Sequence, residues 1–211
     1  MEEHIYGKEV IMKKSKSKSN GSILAMIFST FCAIIMVSLL YTSNKVWTNS
    51  NFSYVDGMIT NGTQYQIATL IVENTLEEIP SAHLKLLVDE GWSIDFIKQS
   101  AQIDSTSILD EFSQGGAINL TDKKIYLTPD FRTIKNMTGH EIGHALDYIC
   151  GNGGATSSDS EQFQTIYNQE NKNKEITSSE FFAEIYAERL MNQKKAESEY
   201  PLAVQYIQSV G

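Results

Sequence analysis

Cysteine is scarce in this sequence, and its scarcity excludes a disulfide-stabilised fold. The chain of 211 residues has two cysteines, and only Cys150 lies outside the long apolar run near the amino terminus. A domain that follows this run therefore has no internal disulfide and depends on its hydrophobic core, with or without help from a bound metal. The roughly 170 residues after the run are enough to form such a core.

Basic residues are also few, which argues against nucleic acid as a partner. After residue 41 there are 12 Lys and Arg against 23 Asp and Glu, a formal charge of −11. Proteins that bind nucleic acid neutralise phosphates with clustered basic groups, and this part of the chain has the opposite charge. Such acidity is typical of a solvated surface and favours the approach of neutral or basic polypeptide segments.

Charged residues are absent from residues 23–41, which form an almost uninterrupted apolar run. A helix of this length spans about 28 Å, close to the hydrocarbon thickness of a bilayer. Four lysines lie just before the run, and the positive-inside rule then keeps residues 1–22 in the cytoplasm. We predict a single-pass anchor in the cell membrane with the C-terminal domain outside the cell. A cleaved signal sequence, and hence a secreted protein, is the alternative.

The rest of the chain is predicted to be a stalk followed by one domain. Residues 42–63 are rich in Thr, Ser, Asn and Gly, a composition typical of a linker. Residues 64–211 carry the periodic apolar patterns of a folded domain. The first helical pattern stops at Pro80, and a second helix is expected to run from Ser81 to Gly91.

Short alternating runs predict a small sheet in the middle of the chain. Residues 92–97 alternate in polarity, and residues 117–120 and 124–127 do so on either side of a turn-forming Thr-Asp-Lys. An edge strand can hold an extended peptide by main-chain pairing. We nominate the first strand of the hairpin for this role, and a fully covered structural hairpin is the alternative. The substrate-binding candidates are Gly116, Ala117, Ile118 and Asn119.

The strongest signal is the sequence His-Glu-Ile-Gly-His at residues 140–144. On a helix, His140 and His144 project from one face and can bind a single zinc ion. Glu141 lies one step round the helix, placed to take a proton from metal-bound water rather than to bind the metal. Two ordinary histidines on a helix surface are the alternative interpretation.

Apolar residues at three- and four-residue steps indicate that this motif lies on a helix packed into a core. Gly151 is expected to end the helix. The Asn-Gly-Gly at residues 152–154 is then expected to form a loop over or beside the metal, as a wall of the cleft. The apolar positions are Ile134, Met137, Ile142, Ala145, Leu146 and Ile149.

A catalytic zinc site normally takes three protein ligands, so a third ligand is needed. The extended motif in which one segment carries all three ligands is excluded, because Asp147 and Cys150 occupy the positions of its glycine and third histidine. The remaining source is a second predicted helix over residues 179–189.

That second helix offers Glu180, Glu184 and Glu188 on one face. Glu180 is the preferred metal ligand, and Glu184 is a candidate to accept a hydrogen bond from a ligand imidazole and fix its tautomer. Two alternatives stay open. Residues 177–180, Thr-Ser-Ser-Glu, also form a capping box, and the three glutamates together also fit a solvated acidic stripe.

These two segments resemble a known family of peptidases. Gly-His-Glu-Ile-Gly-His-Ala-Leu-Asp at residues 139–147 and Glu-Phe-Phe-Ala-Glu at residues 180–184 are similar to the catalytic domain of anthrax lethal factor and the related Pro-Pro endopeptidases. The likeness spans roughly residues 64–210. It implies an α+β, zincin-like fold with a small sheet packed on helices. It also implies that His140, His144 and Glu180 bind one zinc ion, that Glu141 is the base, and that Glu184 supports a ligand.

One position departs from the family pattern. The family generally has a tyrosine seven residues before the ligand glutamate, where it stabilises the developing oxyanion, and here that position is Asn173. Tyr167 is the nearest upstream tyrosine and becomes the candidate for this catalytic role. Tyr186 is a poorer candidate because it belongs to the packed helix.

The sequence therefore predicts a zinc-dependent metalloendopeptidase that hydrolyses peptide bonds of extracellular or cell-surface proteins, by Glu-assisted attack of zinc-bound water. The expected partners are one zinc ion per chain, a polypeptide substrate and the membrane. Two other hypotheses are a surface binding protein on a catalytically decayed zincin scaffold and an aminopeptidase or other small-substrate hydrolase. A preference for Pro-Pro bonds follows from the resemblance alone, and no feature indicates the oligomeric state.

Overall fold

A computed structural model describes residues 52–55, 57–98, 115–152, 154–173 and 175–210. The predicted cytoplasmic segment at residues 1–22 and the predicted membrane anchor at residues 23–41 lie outside these ranges. Within the described ranges, no helix has the length and apolar character needed to cross a bilayer.

The described part of the predicted stalk packs onto the domain. A short helix, α1 (Phe52–Val55), buries Val55 in the core, and Met58 is buried with it. Ile59 forms a parallel bridge with Ile94, which ties this stretch to the sheet. These residues therefore belong to the domain, upstream of the boundary predicted at residue 64. The boundary predicted at residue 64 was too late, because it was based on the average composition of the segment, whereas a few apolar side chains within it make the contacts with the core.

Two helices precede the sheet, as predicted. The helix α2 (Gln66–Glu77) ends before Pro80, and α3 (Ser81–Asp89) begins directly after it. Proline ends one helix and starts the next because it has no N–H to donate and its φ already suits a helix start. Gly91, at a φ of +79°, then turns the chain towards the first strand.

The described residues form a sheet of three short strands: β1 (Ser93–Phe96), β2 (Gly116–Asn119) and β3 (Lys124–Leu127). The strand order is β1-β3-β2, with β1 parallel and β2 antiparallel to β3. The predicted hairpin is confirmed, and β2 is at an edge of this sheet. Lys123, at a φ of +51°, lies in the hairpin turn.

Helices make up most of the described chain after the sheet, so the architecture is α+β as predicted. Two of these helices, α4 and α6, carry the motifs singled out in the sequence and lie in the centre of the domain. Their apolar faces meet the sheet and the other helices in one core. The helices are α4 (Ile134–Ile149), α5 (Glu161–Glu170), α6 (Ser178–Met191), α7 (Gln193–Glu199) and α8 (Pro201–Ser209), with a 3₁₀ turn at Ser157–Asp159.

The helices α4 and α6 pack antiparallel and at close range through small residues. A Cβ added to Gly143 would lie 2.8 Å from the Cα of Ala183, so glycine is what allows the two main chains to approach. Successive contacts step four residues along both helices, which fixes the register of α6 on α4 and brings the first turn of α6 to the histidines. The facing pairs are Gly139 with Ala187, Gly143 with Ala183, and Asp147 with Ser179.

Candidate metal centre

The helix α4 brings the two histidines of the motif together. His140 and His144 are one turn apart, and their Nε2 atoms lie 3.1 Å from each other. Their rings meet edge to face, with an angle of 86° between the planes. His144 is buried, whereas 14% of the His140 side chain is exposed, so the pair is accessible from one side.

The first turn of α6 adds a carboxylate to this pair. Oε1 of Glu180 lies 3.1 Å from Nε2 of His144, and Oε2 lies 3.5 Å from Nε2 of His140. Hydrogen bonds with His140 and His144 lower the pKa of the Glu180 carboxyl group well below its usual value. The three side chains therefore meet at one point, as the sequence predicts.

Capping of α6 uses a different atom of the same glutamate. The hydroxyl of Thr177 accepts a hydrogen bond from the main-chain N–H of Glu180, at 3.1 Å. The Glu180 carboxylate faces the histidines. The capping interpretation of this segment and the metal-ligand interpretation are therefore compatible, because one concerns the main chain of Glu180 and the other its side chain.

The ligand atoms and their spacing fit a zinc ion. A tetrahedral zinc with bonds of about 2.0–2.1 Å separates its ligand atoms by roughly 3.3 Å. The three separations in this cluster are 3.1, 3.1 and 3.5 Å. Two imidazoles and one carboxylate leave the fourth tetrahedral position to water or substrate, which is the composition of a catalytic rather than a structural site.

Glu141, the predicted base, lies where α4 meets the edge strand β2. The residue is 2% exposed. Its carboxyl group packs against the main chain of Gly116, where an added Cβ would lie 2.7 Å from Cγ and 2.8 Å from Cδ of Glu141. Glycine at this position therefore leaves the space that the carboxyl group occupies.

The four residues nominated for substrate binding constitute β2. All four are buried, and the first of them, Gly116, contacts Glu141. At the other end of the strand, the side-chain oxygen of Asn119 accepts a hydrogen bond from the N–H of Asp122 and holds the hairpin turn. Among the described residues this strand lies at an edge of the sheet, and its pairing with a substrate stays a prediction.

A cavity of about 230 Å³ lies beside His140, along the face of α6 that follows Glu180. Glu184 lines this cavity, and desolvation, with the negative charge of Glu180, raises its pKa against the opposing effect of His140. The hydrogen bond predicted from a ligand imidazole to Glu184 stays a prediction. Lys195 and Tyr200 also line the cavity. Sequence reasoning missed both because they come from segments with no recognisable motif.

The imidazole of His144 contacts a serine that sequence reasoning also missed. Its Nδ1 lies 3.3 Å from Oγ of Ser179, and this hydroxyl donates a hydrogen bond to Oδ2 of Asp147 at 2.9 Å. One signal was available in the sequence, since Asp147 follows His144 by three residues and so lies near it on the helix surface.

Tyr167, the candidate for oxyanion stabilisation, lies in α5 and contacts the loop before α6. Its hydroxyl donates to the main-chain carbonyl of Ile176 at 2.6 Å. In the same loop, the side-chain oxygen of Asn173 accepts a hydrogen bond from the N–H of Glu175. The described contacts of Tyr167 thus stabilise the approach to α6, and its catalytic role stays a prediction.

The loop after α4 lies away from the histidines. Gly151, Gly154 and Ala155 line a cavity of about 190 Å³ together with Trp92 and Lys123. Trp92 and Lys123 each precede the first residue of a strand, at one end of the sheet, whereas Gly116 lies at the other end. The prediction that this loop forms a wall of the metal cleft is wrong, because α4 runs five residues beyond His144 and carries the loop to the other end of the sheet.

Comparison with known proteins identifies a similar fold. No family model matches the chain, and no curated protein matches it in sequence. Among solved structures, the chain is similar to the Pro-Pro endopeptidase PPEP-2 from Paenibacillus alvei, with a TM-score of 0.57 and 17% sequence identity. The match covers 75% of this chain and 100% of that one. At this identity the likeness establishes the fold alone.

Proposed function

We propose that this protein is a zinc-dependent metalloendopeptidase. The observation that carries the proposal is the convergence of His140, His144 and Glu180, whose ligand atoms lie within 4.8 Å of one another. Two helices held in a fixed register supply these atoms, at separations that suit tetrahedral zinc. The buried carboxyl group of Glu141 and the similarity of the fold to a Pro-Pro endopeptidase support the proposal.

His140, His144 and Glu180 would hold the zinc ion, which would supply a Lewis acid to polarise the scissile carbonyl and lower the pKa of a water molecule. Glu141 takes a proton from the attacking water while the water oxygen forms a bond to the carbonyl carbon. The same carboxyl group then donates the proton to the amine nitrogen as the C–N bond breaks. Packing against Gly116 holds the Glu141 carboxyl group in place for both transfers.

The proposed substrate is a polypeptide outside the cell. The strand β2 lies at an edge of the described sheet and contacts Glu141. We therefore expect an extended substrate peptide to pair with β2 and add a strand to the sheet. A preference for Pro-Pro bonds is proposed on the similarity of the fold. The extracellular, membrane-anchored location is proposed on the apolar run at residues 23–41 and the lysines before it.

Substitution of the base tests the proposal directly. Glu141→Gln keeps the size of the side chain but removes its ability to accept a proton, so kcat/KM for peptide cleavage should fall about 10²–10⁴-fold. Zinc content should stay at about one ion per chain because Glu141 is not a ligand. Cleavage is measured on a randomised peptide library that includes Pro-Pro sequences, with and without a chelator. Turnover by the variant equal to that of the wild type would reject the assignment.

His140→Ala is the matched control, because it changes the neighbouring residue and removes a ligand instead of the base. Both zinc content and cleavage should be lost in this variant, whereas Glu141→Gln should lose cleavage alone. A His140→Ala protein that still binds zinc stoichiometrically would show that the ligands are different.

A catalytically decayed binding protein on the same scaffold is the second candidate. It is favoured by Asn173 at the position of the family tyrosine and by the hydrogen bond that engages the hydroxyl of Tyr167 with Ile176. Full zinc occupancy without cleavage of any library peptide would identify this function. Release of single amino-terminal residues only would instead identify an aminopeptidase.

A further inference from the structure

Asp147 is a fully buried carboxylate on α4, one turn beyond His144. Its Oδ1 accepts a hydrogen bond from the main-chain N–H of Ser158 at 2.6 Å. Its Oδ2 accepts from the hydroxyls of Ser158 at 2.7 Å and of Ser179 at 2.9 Å. Burial raises the pKa of Asp147, and the hydrogen bonds from Ser158 and Ser179 oppose that rise. Three donors therefore surround a group that, when ionised, can only accept.

Ser179 connects this carboxylate to the metal centre. Its Oγ lies 3.3 Å from Nδ1 of His144. Because the hydroxyl hydrogen is donated to Asp147, only the lone pairs of the Ser179 oxygen face the imidazole. The ring nitrogen that meets them must therefore carry a hydrogen. The other ring nitrogen, Nε2, faces Glu180 and His140 and is the nitrogen left to bind a metal ion.

We propose that Asp147 and Ser179 are positioning residues that orient the His144 ring through its Nδ1–H, so that Nε2 is the nitrogen available to a metal ion. The inference rests on the zinc site of the proposed function, although the chain of hydrogen bonds belongs to the protein without the ion. Neither residue contacts the reacting atoms. They act through His144, whose tautomer and ring orientation decide whether its Nε2 can bind a cation.

The close packing of α4 on α6 makes this connection possible. Asp147 and Ser179 are the next facing pair after Gly143 and Ala183 in the antiparallel register of the two helices. The register that delivers the carboxylate of Glu180 to the histidines thus also delivers the hydroxyl that orients His144. Metal ligand and positioning residue are adjacent in the first turn of α6.

Two serine substitutions separate positioning from stability. Ser179→Ala and Ser158→Ala each remove one hydroxyl donor from the same Asp147 oxygen, but only Ser179 contacts His144. Zinc affinity, measured by competition with a chromophoric chelator, should fall about 10-fold or more in Ser179→Ala. Ser158→Ala should lower Tm without a comparable loss of zinc affinity. Ser179→Thr keeps a hydroxyl and should therefore retain most of the zinc affinity that Ser179→Ala loses. An equal loss of affinity in the two alanine variants would overturn the inference.

The tautomer itself gives a readout that needs neither zinc nor activity. In the zinc-free wild type, ¹⁵N NMR should show that Nδ1 of His144 carries a hydrogen, as its contact with Ser179 requires. The Nδ1 signal should shift in Ser179→Ala. A wild-type His144 without a hydrogen on Nδ1 would overturn the inference, whereas a wild type that has this hydrogen but does not bind zinc would overturn the proposed function alone.

Discussion

At the scale of single residues, the buried side chain of His83 has partners that fix which ring nitrogen carries a hydrogen. Nε2 of His83 lies 2.9 Å from the main-chain carbonyl of Val210, so it must carry a hydrogen, and Nδ1 lies 3.0 Å from the hydroxyl of Tyr186. Burial lowers the pKa of His83, because desolvation disfavours the charged form of the ring. Tyr186 is itself fully buried, and this agrees with the prediction that it belongs to the packed helix.

Gly116→Ala is expected to move the base without unfolding the protein. The added Cβ would meet the Glu141 side chain at 2.7 Å from Cγ, and the far end of a glutamate can move aside more easily than a main chain can. Displacement of a catalytic group by about 1 Å can cost about 10²-fold in rate. We therefore expect kcat/KM to fall about 10- to 100-fold, measured on the peptide that the wild type cleaves best.

The zinc affinity and the Tm of the same variant are the controls. Both should stay close to wild type, because neither a metal ligand nor the strand pairing of residue 116 is altered. Loss of zinc from Gly116→Ala would contradict the inference that this glycine affects only the position of Glu141. Unchanged cleavage would show that the Glu141 carboxyl group tolerates a shift.

At the scale of elements, small residues decide how α4 and α6 meet. Glycine inside a helix normally costs stability relative to alanine, by roughly 0.5–1 kcal/mol. Here both glycines of α4 lie against the main chain and side chains of α6, and at Gly143 the distance excludes a methyl group. The cost in helix propensity is offset by an approach close enough to bring Glu180 to the histidines.

Gly143→Ala should therefore destabilise the protein, against the trend of helix propensity. The new Cβ would lie 2.8 Å from the Cα of Ala183, and two packed helix main chains cannot both retain their positions. Overpacking of this kind costs typically about 1–3 kcal/mol in the free energy of unfolding. Urea denaturation of the zinc-free variant measures the stability, and chelator competition should show weaker zinc binding because Glu180 is displaced.

Gly139→Ala is the matched control on the same helix. Its Cβ would lie 3.2 Å from the Cα of Ala187 and 3.2 Å from the side chain of Leu190, a milder contact that lies further from Glu180. It should destabilise less than Gly143→Ala and affect zinc affinity less. A gain in stability from Gly143→Ala would contradict the close packing of the two helices.

At the scale of the whole molecule, the described domain is held by its core and carries one free thiol, Cys150, whose pKa is raised by burial. A metal that joins α4 to α6 would add stability that a disulfide often provides in an exported protein. The stabilisation follows from mass action, because the unfolded chain does not bring His140, His144 and Glu180 together.

Zinc should therefore raise the thermal stability of the domain. At a free zinc concentration of about 100 times Kd the gain is about 2.7 kcal/mol, which corresponds to roughly 5–10 °C in Tm for a domain of this size. Scanning calorimetry with zinc and with a chelator measures the shift. In Glu180→Gln the shift should shrink or disappear, and a shift of equal size in that variant would exclude Glu180 as a ligand.

The elements of this protein were predictable because their signals are local. Pro80 separates two helices, an alternating pattern on either side of Thr-Asp-Lys marks the hairpin, and helical spacing around residues 140–144 marks α4. Contacts between distant segments were not predictable in this way. Val55 and Met58 reach the core from a segment with linker composition, and Gly154 lies near the end of the sheet away from the histidines.

The sequence by itself determined the candidate groups of this protein: two histidines one turn apart, a glutamate between them and a capped helix with another glutamate in its first turn. Each of these features depends on spacing within a single helix, which the order of residues specifies. Only the tertiary structure decided that Glu180 meets both histidines and that Ser179 and Asp147 lie behind His144. Those contacts depend on the register of one helix on another, which is set by steric fit between segments more than thirty residues apart.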